Sequence, residues 1–328
     1  QRAPLVIVIL TFIVTLSGAP TVPFIVAPVI MSLFKKADLP RGIGLAAMLG
    51  TMQPTCVVLP FVPNSLNIFP TYSLGTTTGA APLMGFICFA FAMCLVGLYL
   101  YYLVKKARRT GEGFDGDPNL DTNDNAPKPN FIIAILPIII VVAASILLGS
   151  NGFKIMSDDY AAVSVAQMAS CVFIWLTCYK FLKGKRFGMA MVNAIKMNVE
   201  IVIGVCCIVG YSELIQNTAA FAVIQENILK WSIHPYLLTF LGVAIISAIC
   251  ANGYGGMQMF LNTLGKTLAS IPGVSAEAVH RISTMTSSTF DSLPHASVVF
   301  INLQVMKMNL KDGYKYVFVT TVVITTLT

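Results

Sequence analysis

Along this chain, apolar runs long enough to lie in a bilayer alternate with short polar breaks, and basic residues gather at the ends of the runs. The first run, Leu5 to Phe34, spans 30 residues and is interrupted at Ser17-Gly18-Ala19-Pro20-Thr21 and again by Pro23 and Pro28. Each half, about 14 residues at 1.5 Å per residue, is too short to cross a hydrocarbon core of ~30 Å. The pattern predicts a re-entrant hairpin with its tip near Gly18, the alternative being one long kinked span. Arg2 flanks one end and Lys35, Lys36 and Arg41 the other, which puts both ends on the cytoplasmic side. Gly42 to Phe69 follows, with an expected helix break at Gly50-Thr51-Met52-Gln53-Pro54-Thr55 and further breaks at Pro60 and Pro63. Asn64 to Ala81 is uncharged and rich in turn formers, which predicts an outer loop or the lining of a vestibule. Pro82 to Val104 reads as a plain membrane helix. Tyr99, Tyr101 and Tyr102 sit at its interface, with Lys105, Lys106, Arg108 and Arg109 on the cytoplasmic side.

Ala107 to Asn130, rich in Gly, Asp, Asn and Pro, cannot bury enough surface to fold and is expected to be a flexible connection. It divides the chain into part of a first transmembrane repeat (1–104), a hydrophilic cytoplasmic linker (105–130) and a second transmembrane repeat (131–328). Phe131 to Gly149 runs outward, with Asp158 and Asp159 near the outer loop, and Tyr160 to Phe181 returns to Lys180, Lys183, Lys185 and Arg186. Met189 to Ile215 goes out again carrying Lys196, Glu200 and Glu213; Lys196 and Glu200, one helical turn apart, most simply neutralise each other. Asn217 to Trp231 reads as interfacial. Pro235 to Leu268 then repeats the opening pattern. An apolar half ends at Cys250-Ala251-Asn252-Gly253-Tyr254-Gly255-Gly256 and a second resumes at Met257, a second re-entrant hairpin entered from outside. The helix from Arg281 runs back toward Lys307, Lys311 and Lys315, and Tyr316 begins another span.

Composition sharpens this picture. With 56% hydrophobic and 11% charged residues, against roughly 25% charged in soluble domains, the chain is expected to be an all-α polytopic membrane protein. The net charge of +7 is then an orientation signal, since no long Lys/Arg face offers a nucleic-acid surface. The eight cysteines lie in or beside apolar segments without metal-ligand spacing, and read as small buried hydrophobes. No metal motif, nucleotide-binding loop or Ser-His-Asp constellation points to a metal, a cofactor or an enzyme. Neither an initiator Met nor a signal peptide is present, and both ends fall in apolar runs, so further helices are expected before Gln1.

Candidate chemistry concentrates in Thr284 to Val299, where Asp291, Pro294, His295 and a run of hydroxyls interrupt an apolar region. Ionisable groups at membrane depth are costly and mark substrate or ion paths. Asp291 and His295, four apart, would share a helix face; histidine titrates near neutral pH and burial favours a protonated carboxyl, so the pair could carry a proton. The alternative is a structural hydrogen bond that fixes a broken helix. Hairpin tips and broken helices also present backbone N–H groups suited to a carboxylate. Ser17, Gly18, Thr21, Thr51, Gln53 and Thr55 would form one wall of such a site. Asn252, Gly253, Gly255, Gly256, Ser287, Ser288 and Ser292 would form the other. For each of these residues singly, a packing glycine or a helix-internal hydroxyl is the competing reading. His234 and His280, near segment ends, are expected at the interface.

Thirteen positions separate Arg41 from Pro54 and also Arg281 from Pro294, each interval preceded by a Gly-broken apolar hairpin. With the charge-derived topology, this suggests two inverted repeats whose broken helices meet near the midplane. Several stretches then resemble the gluconate permease (GntP) family, especially its D-beta-hydroxybutyrate permease-like members. They are Lys35-Lys36-Ala37-Asp38-Leu39-Pro40-Arg41, Gln53-Pro54, Phe69-Pro70-Thr71, Gly75-Thr76-Thr77-Thr78, Gly253 to Gly256, Glu277-Ala278-Val279-His280-Arg281 and Asp291-Ser292-Leu293-Pro294-His295. The resemblance implies an inverted-repeat ion-transporter fold in a bacterial inner membrane. It also implies proton-coupled symport of a small organic anion such as gluconate or a hydroxybutyrate-like hydroxy acid, with sodium as the alternative coupling ion, and a homodimer. The rival functions are a passive anion channel and an intramembrane hydrolase with a hydroxyl nucleophile near His295.

Overall fold

The computed structural model describes residues 2–18, 22–116, 130–149, 159–179, 217–229 and 233–328, with scattered positions between 153 and 214. Among the described residues all regular structure is helical. Two compact units form, residues 1–122 with 232–328, and residues 123–231. This grouping differs from a cut at the hydrophilic linker, because it joins segments on both sides of it.

In the smaller unit, α6 (Phe131–Leu148) packs on α7 (Asp159–Cys178), and Ser170 Oγ donates to the Pro137 carbonyl across the pair at 3.0 Å. Residues 217–231, expected at the interface, contain α8 (Ala219–Leu229). Lys196 is exposed, while Glu200 and Glu213 lie outside the described residues.

The larger unit is built on α3 (Arg41–Val57), with α1 (Ala3–Thr15), α2 (Val22–Ala37) and α5 (Pro82–Thr110) packed around it. Almost every residue of α3 is buried, as expected of a helix that is apolar or small-sided all round. Gly44 lies against the Ile30 side chain, and Gly50 against those of Val96 and Thr320, so neighbouring side chains pack directly on the α3 backbone where a larger residue would hold them off. The expected break at Gly50–Thr55 does not occur. Pro54 sits inside α3, which continues to Val57. Asn64 to Ala81 is likewise no simple loop: Asn64 Oδ1 caps α4 (Ser65–Leu74) by accepting from the Asn67 N–H at 2.9 Å.

Helix α5 is 29 residues long, about 43 Å at 1.5 Å per residue. One face, through Ala92, Val96, Leu100 and Leu103, is buried. The other is equally apolar yet open, with Leu83 72%, Ile87 61% and Leu98 61% exposed, a surface suited to hydrocarbon rather than water. It and Ala161–Cys178 are long and apolar enough to cross a membrane. The helix runs into the expected linker as far as Thr110, and residues 113–115 then fold back onto Asp38 and Arg41.

Both apolar runs expected to form hairpins divide into half-length helices. In the first, α1 runs antiparallel to α5: Phe12 meets Phe89 at 5.9 Å between ring centroids, while Pro4 and Leu5 share a groove with Lys105 and Arg108. The end of α2 reaches the same end of α5, where Asp38 Oδ1 accepts from the Phe114 N–H at 2.9 Å. The second consists of α9 (Pro235–Cys250) and α10 (Gly253–Phe260), the latter prolonged through a π-helical turn at Leu261–Gly265 to Lys266–Ala269. Gly256 packs on Ser247 and Gly242 on Phe260, an antiparallel register. Its open end is marked by Ser275 N–H donating to Tyr236 Oη at 2.9 Å. The next helix, α11 (Ala276–Ser287), begins there, and Glu277 Oε2 accepts from the Ala81 N–H at the start of α5 at 3.2 Å. The two hairpins therefore open toward opposite ends of α5.

Candidate functional site

Helix α11 is polar and buried at once. Ser275 caps its start and Glu277 sits in its first turn, the signals that begin a helix. From there His280, Arg281, Ser283, Thr284, Thr286, Ser287 and Ser288 are all buried. Helices α3, α4, α9 and α10 cover them. Short hydroxyls tolerate this by turning back on their own helix. Thr284 Oγ1 donates to the Arg281 carbonyl (2.8 Å), Ser287 Oγ to Thr284 (2.7 Å) and Ser288 Oγ to Met285 (3.2 Å). The helix stops at Ser287, and residues 289–296 form turns before α12 (Ser297–Val305). Pro294, with no N–H to give and a ring that blocks the preceding turn, keeps the chain from resuming a helix earlier.

The second hairpin's tip sits on this broken end. Ala251 ends α9 with a left-handed φ of +53°, and the Asn252 side chain accepts from the Gly255 N–H at 2.7 Å, capping α10. A Cβ on Gly253 would fall on the Ser287 carbonyl oxygen and lie 3.1 Å from Asp291 Oδ2. Gly253, Ser287 and Asp291 are thus brought together, with Ser292 Oγ donating to Asp291 Oδ1 at 2.7 Å. Gly255 has its N–H committed to the cap, and Gly256 serves contact between the hairpin's two arms. Asp291 and His295 do not share a helix face, because 289–296 is not helical. Exposed His295 instead places Nε2 3.1 Å from the Ala248 carbonyl, across from α9.

On the first side, Gly18 has φ +69°, and its Cα lies against the Pro63 carbonyl just beyond α3. Ser17 Oγ donates to Val14 at 2.7 Å, and Thr21 lies outside the described residues. Thr51, Gln53 and Thr55 are buried on α3, where Thr51 Oγ1 donates to Ala47 (2.8 Å) and Thr55 Oγ1 to Thr51 (2.7 Å). Helices α3 and α11 touch, so the two expected walls belong to neighbouring elements. Among the described residues the hydroxyl oxygens of Thr11 on α1, Ser247 on α9, Ser283 on α11 and Thr289, and the Asn302 side-chain oxygen, are buried without a hydrogen-bond partner. Such groups cost about 1–3 kcal/mol each.

Sequence reasoning missed the cluster at the other end of α11. Arg281 is fully buried and donates to Ala80 O from Nε (3.1 Å) and Nη2 (2.8 Å), to Thr78 O (3.2 Å) and to Asn67 Oδ1 (3.2 Å). No carboxylate pairs with it among the described residues. His280, expected at the interface, is buried too, with Nδ1 2.7 Å from Thr76 Oγ1 and Nε2 3.3 Å from Asn67 Oδ1. No local sequence signal links Asn67 to His280 and Arg281, which meet only where α4 packs on α11.

No family model matches the chain, and no solved structure matches it. It is similar to a Bacillus subtilis protein named uncharacterized transporter YxjC, 25% identical over 98% of this chain and 76% of the relative. It is also similar to a Haemophilus influenzae protein named uncharacterized transporter, 22% identical over 96% of this chain and 72% of the relative.

Proposed function

We propose that this chain is a secondary transporter of the bacterial inner membrane, a proton symporter for a small organic anion of the gluconate or hydroxybutyrate type. The names of its two relatives support transport. The observation that carries the reading is the pair of half-length hairpins opening toward opposite ends of α5, each tip lying at the far end of a buried helix, Gly18 beyond α3 and Gly253 on α11. Inverted repeats with broken helices are the architecture of many secondary transporters. In this reading the anion sits between α3 and α11, held by backbone N–H groups of the tips and by the hydroxyls of Thr51, Thr55, Ser287 and Ser288. Asp291, beside Gly253, takes and releases the proton. The resemblance to gluconate permeases adds a homodimer.

The test is uptake of labelled gluconate and 3-hydroxybutyrate into vesicles holding the full-length protein. Accumulation above the external concentration, driven by an imposed pH gradient, is expected. Flux that only equalises the two sides identifies a passive anion channel instead. Dependence on a sodium gradient changes the coupling ion.

A further inference from the structure

A groove of about 590 Å³ runs between α1 and α5, within the ~300–1,000 Å³ range of ligand pockets. Its walls are apolar, from Pro4 and Val8 on α1 and from Val96, Gly97 and Leu100 on α5. Gly97 is exposed and has no neighbour that a side chain there would meet, so the groove is open at that turn and a larger side chain would enter it. The chemistry changes abruptly at one end. Tyr101, Lys105 and Arg108 line it there, and among the described residues no acidic side chain does. Lys105 Nζ lies 5.8 Å from the Tyr101 ring centroid, holding the ammonium at the groove's mouth. An apolar trough ending in two cations and a phenol is complementary to one amphiphile, with hydrocarbon below and negative charge above. Basic pockets between membrane helices on the cytoplasmic side bind anionic lipid headgroups.

We propose that this groove holds an anionic phospholipid, with an acyl chain along Gly97 and its phosphate between Lys105 and Arg108. The inference rests on the chain lying in a bilayer, and not on which solute it moves. Native mass spectrometry of the full-length protein with phosphatidylglycerol or phosphatidylcholine tests it. Phosphatidylglycerol should be retained preferentially. Lys105→Gln with Arg108→Gln should weaken that retention by about thirtyfold, from roughly fivefold for each basic residue near an anionic headgroup. Lys106→Gln with Arg109→Gln removes the same charge from the same helix end but outside the groove, and should change retention little. Gly97→Leu, which fills the trough, should displace the lipid while leaving the charge intact. Equal retention of the two lipids, equal losses in the two double variants, or full retention in Gly97→Leu each overturns the proposal.

Discussion

Arg41 and Arg281 do the same work at opposite ends of the larger unit. Arg41, at the start of α3, donates from Nη1 to the carbonyls of Met306 (3.2 Å) and Lys307 (2.9 Å), just past the end of α12. Arg281, near the start of α11, donates to Thr78 and Ala80, just past α4. Each buried helix thus uses a guanidinium to tie down the chain that follows a short helix of the other half. The fork of N–H groups suits two carbonyls at once, which a lysine cannot match. The two sites differ in solvent. Arg41 also pairs with half-exposed Asp115 at 3.2 Å, whereas Arg281 is sealed.

That difference ranks their contributions to stability. Arg281→Met should lower stability by about 3 kcal/mol, since it leaves buried carbonyls and Asn67 Oδ1 without their donor. Arg41→Met should cost less, about 1 kcal/mol, because its partner Asp115 is half exposed and the Lys307 carbonyl it releases can turn to water. Thermal unfolding in detergent compares them, and equal shifts in the midpoint would defeat the ranking.

Gly253→Ala places a methyl on the Ser287 carbonyl oxygen. The hairpin tip must move away from α11, with about 1–3 kcal/mol of overpacking. Uptake should fall at least about tenfold on the positioning sensitivity of such sites. Gly97→Ala, which meets no neighbour, should transport as the parent does. Normal uptake by Gly253→Ala removes the second tip from the binding site.

Asp291→Asn keeps the size of the side chain and can still bond Ser292, but cannot titrate. It should abolish accumulation driven by a pH gradient while sparing exchange between equal pools of substrate. His295→Gln should do less, because His295 is exposed and engaged with the Ala248 carbonyl rather than with Asp291. Accumulation that survives in Asp291→Asn makes this carboxylate a brace for the turn and nothing more.

Single cysteines at positions 36, 106 and 277, in a background without the native eight, read the hairpins' orientation. Positions 36 and 106 lie at one end of α5 and position 277 at the other. A membrane-impermeant maleimide added from outside should label 277 and spare the other two. Labelling of 36 together with 277 is incompatible with two oppositely facing hairpins.

Hydropathy and the positions of Pro and Gly were enough to read the helical class, the two half-length hairpins and the polar stretch at 284–299. These features follow from backbone chemistry that acts within a few residues. Pro54 and Pro294 show where that locality ends. The same residue type lies inside a continuous helix in one case, because α1, α2 and α5 pack around α3 and hold it, and in a broken segment in the other. Nor could spacing decide the partners of Asp291 and His295, since their relation depends on whether 289–296 is helix or turn. The cluster of Asn67, His280 and Arg281 was out of reach for a different reason. Asn67 lies more than two hundred positions from His280 and Arg281, and only the packing of α4 on α11 turns a histidine and an arginine near a segment end into buried, hydrogen-bonded groups.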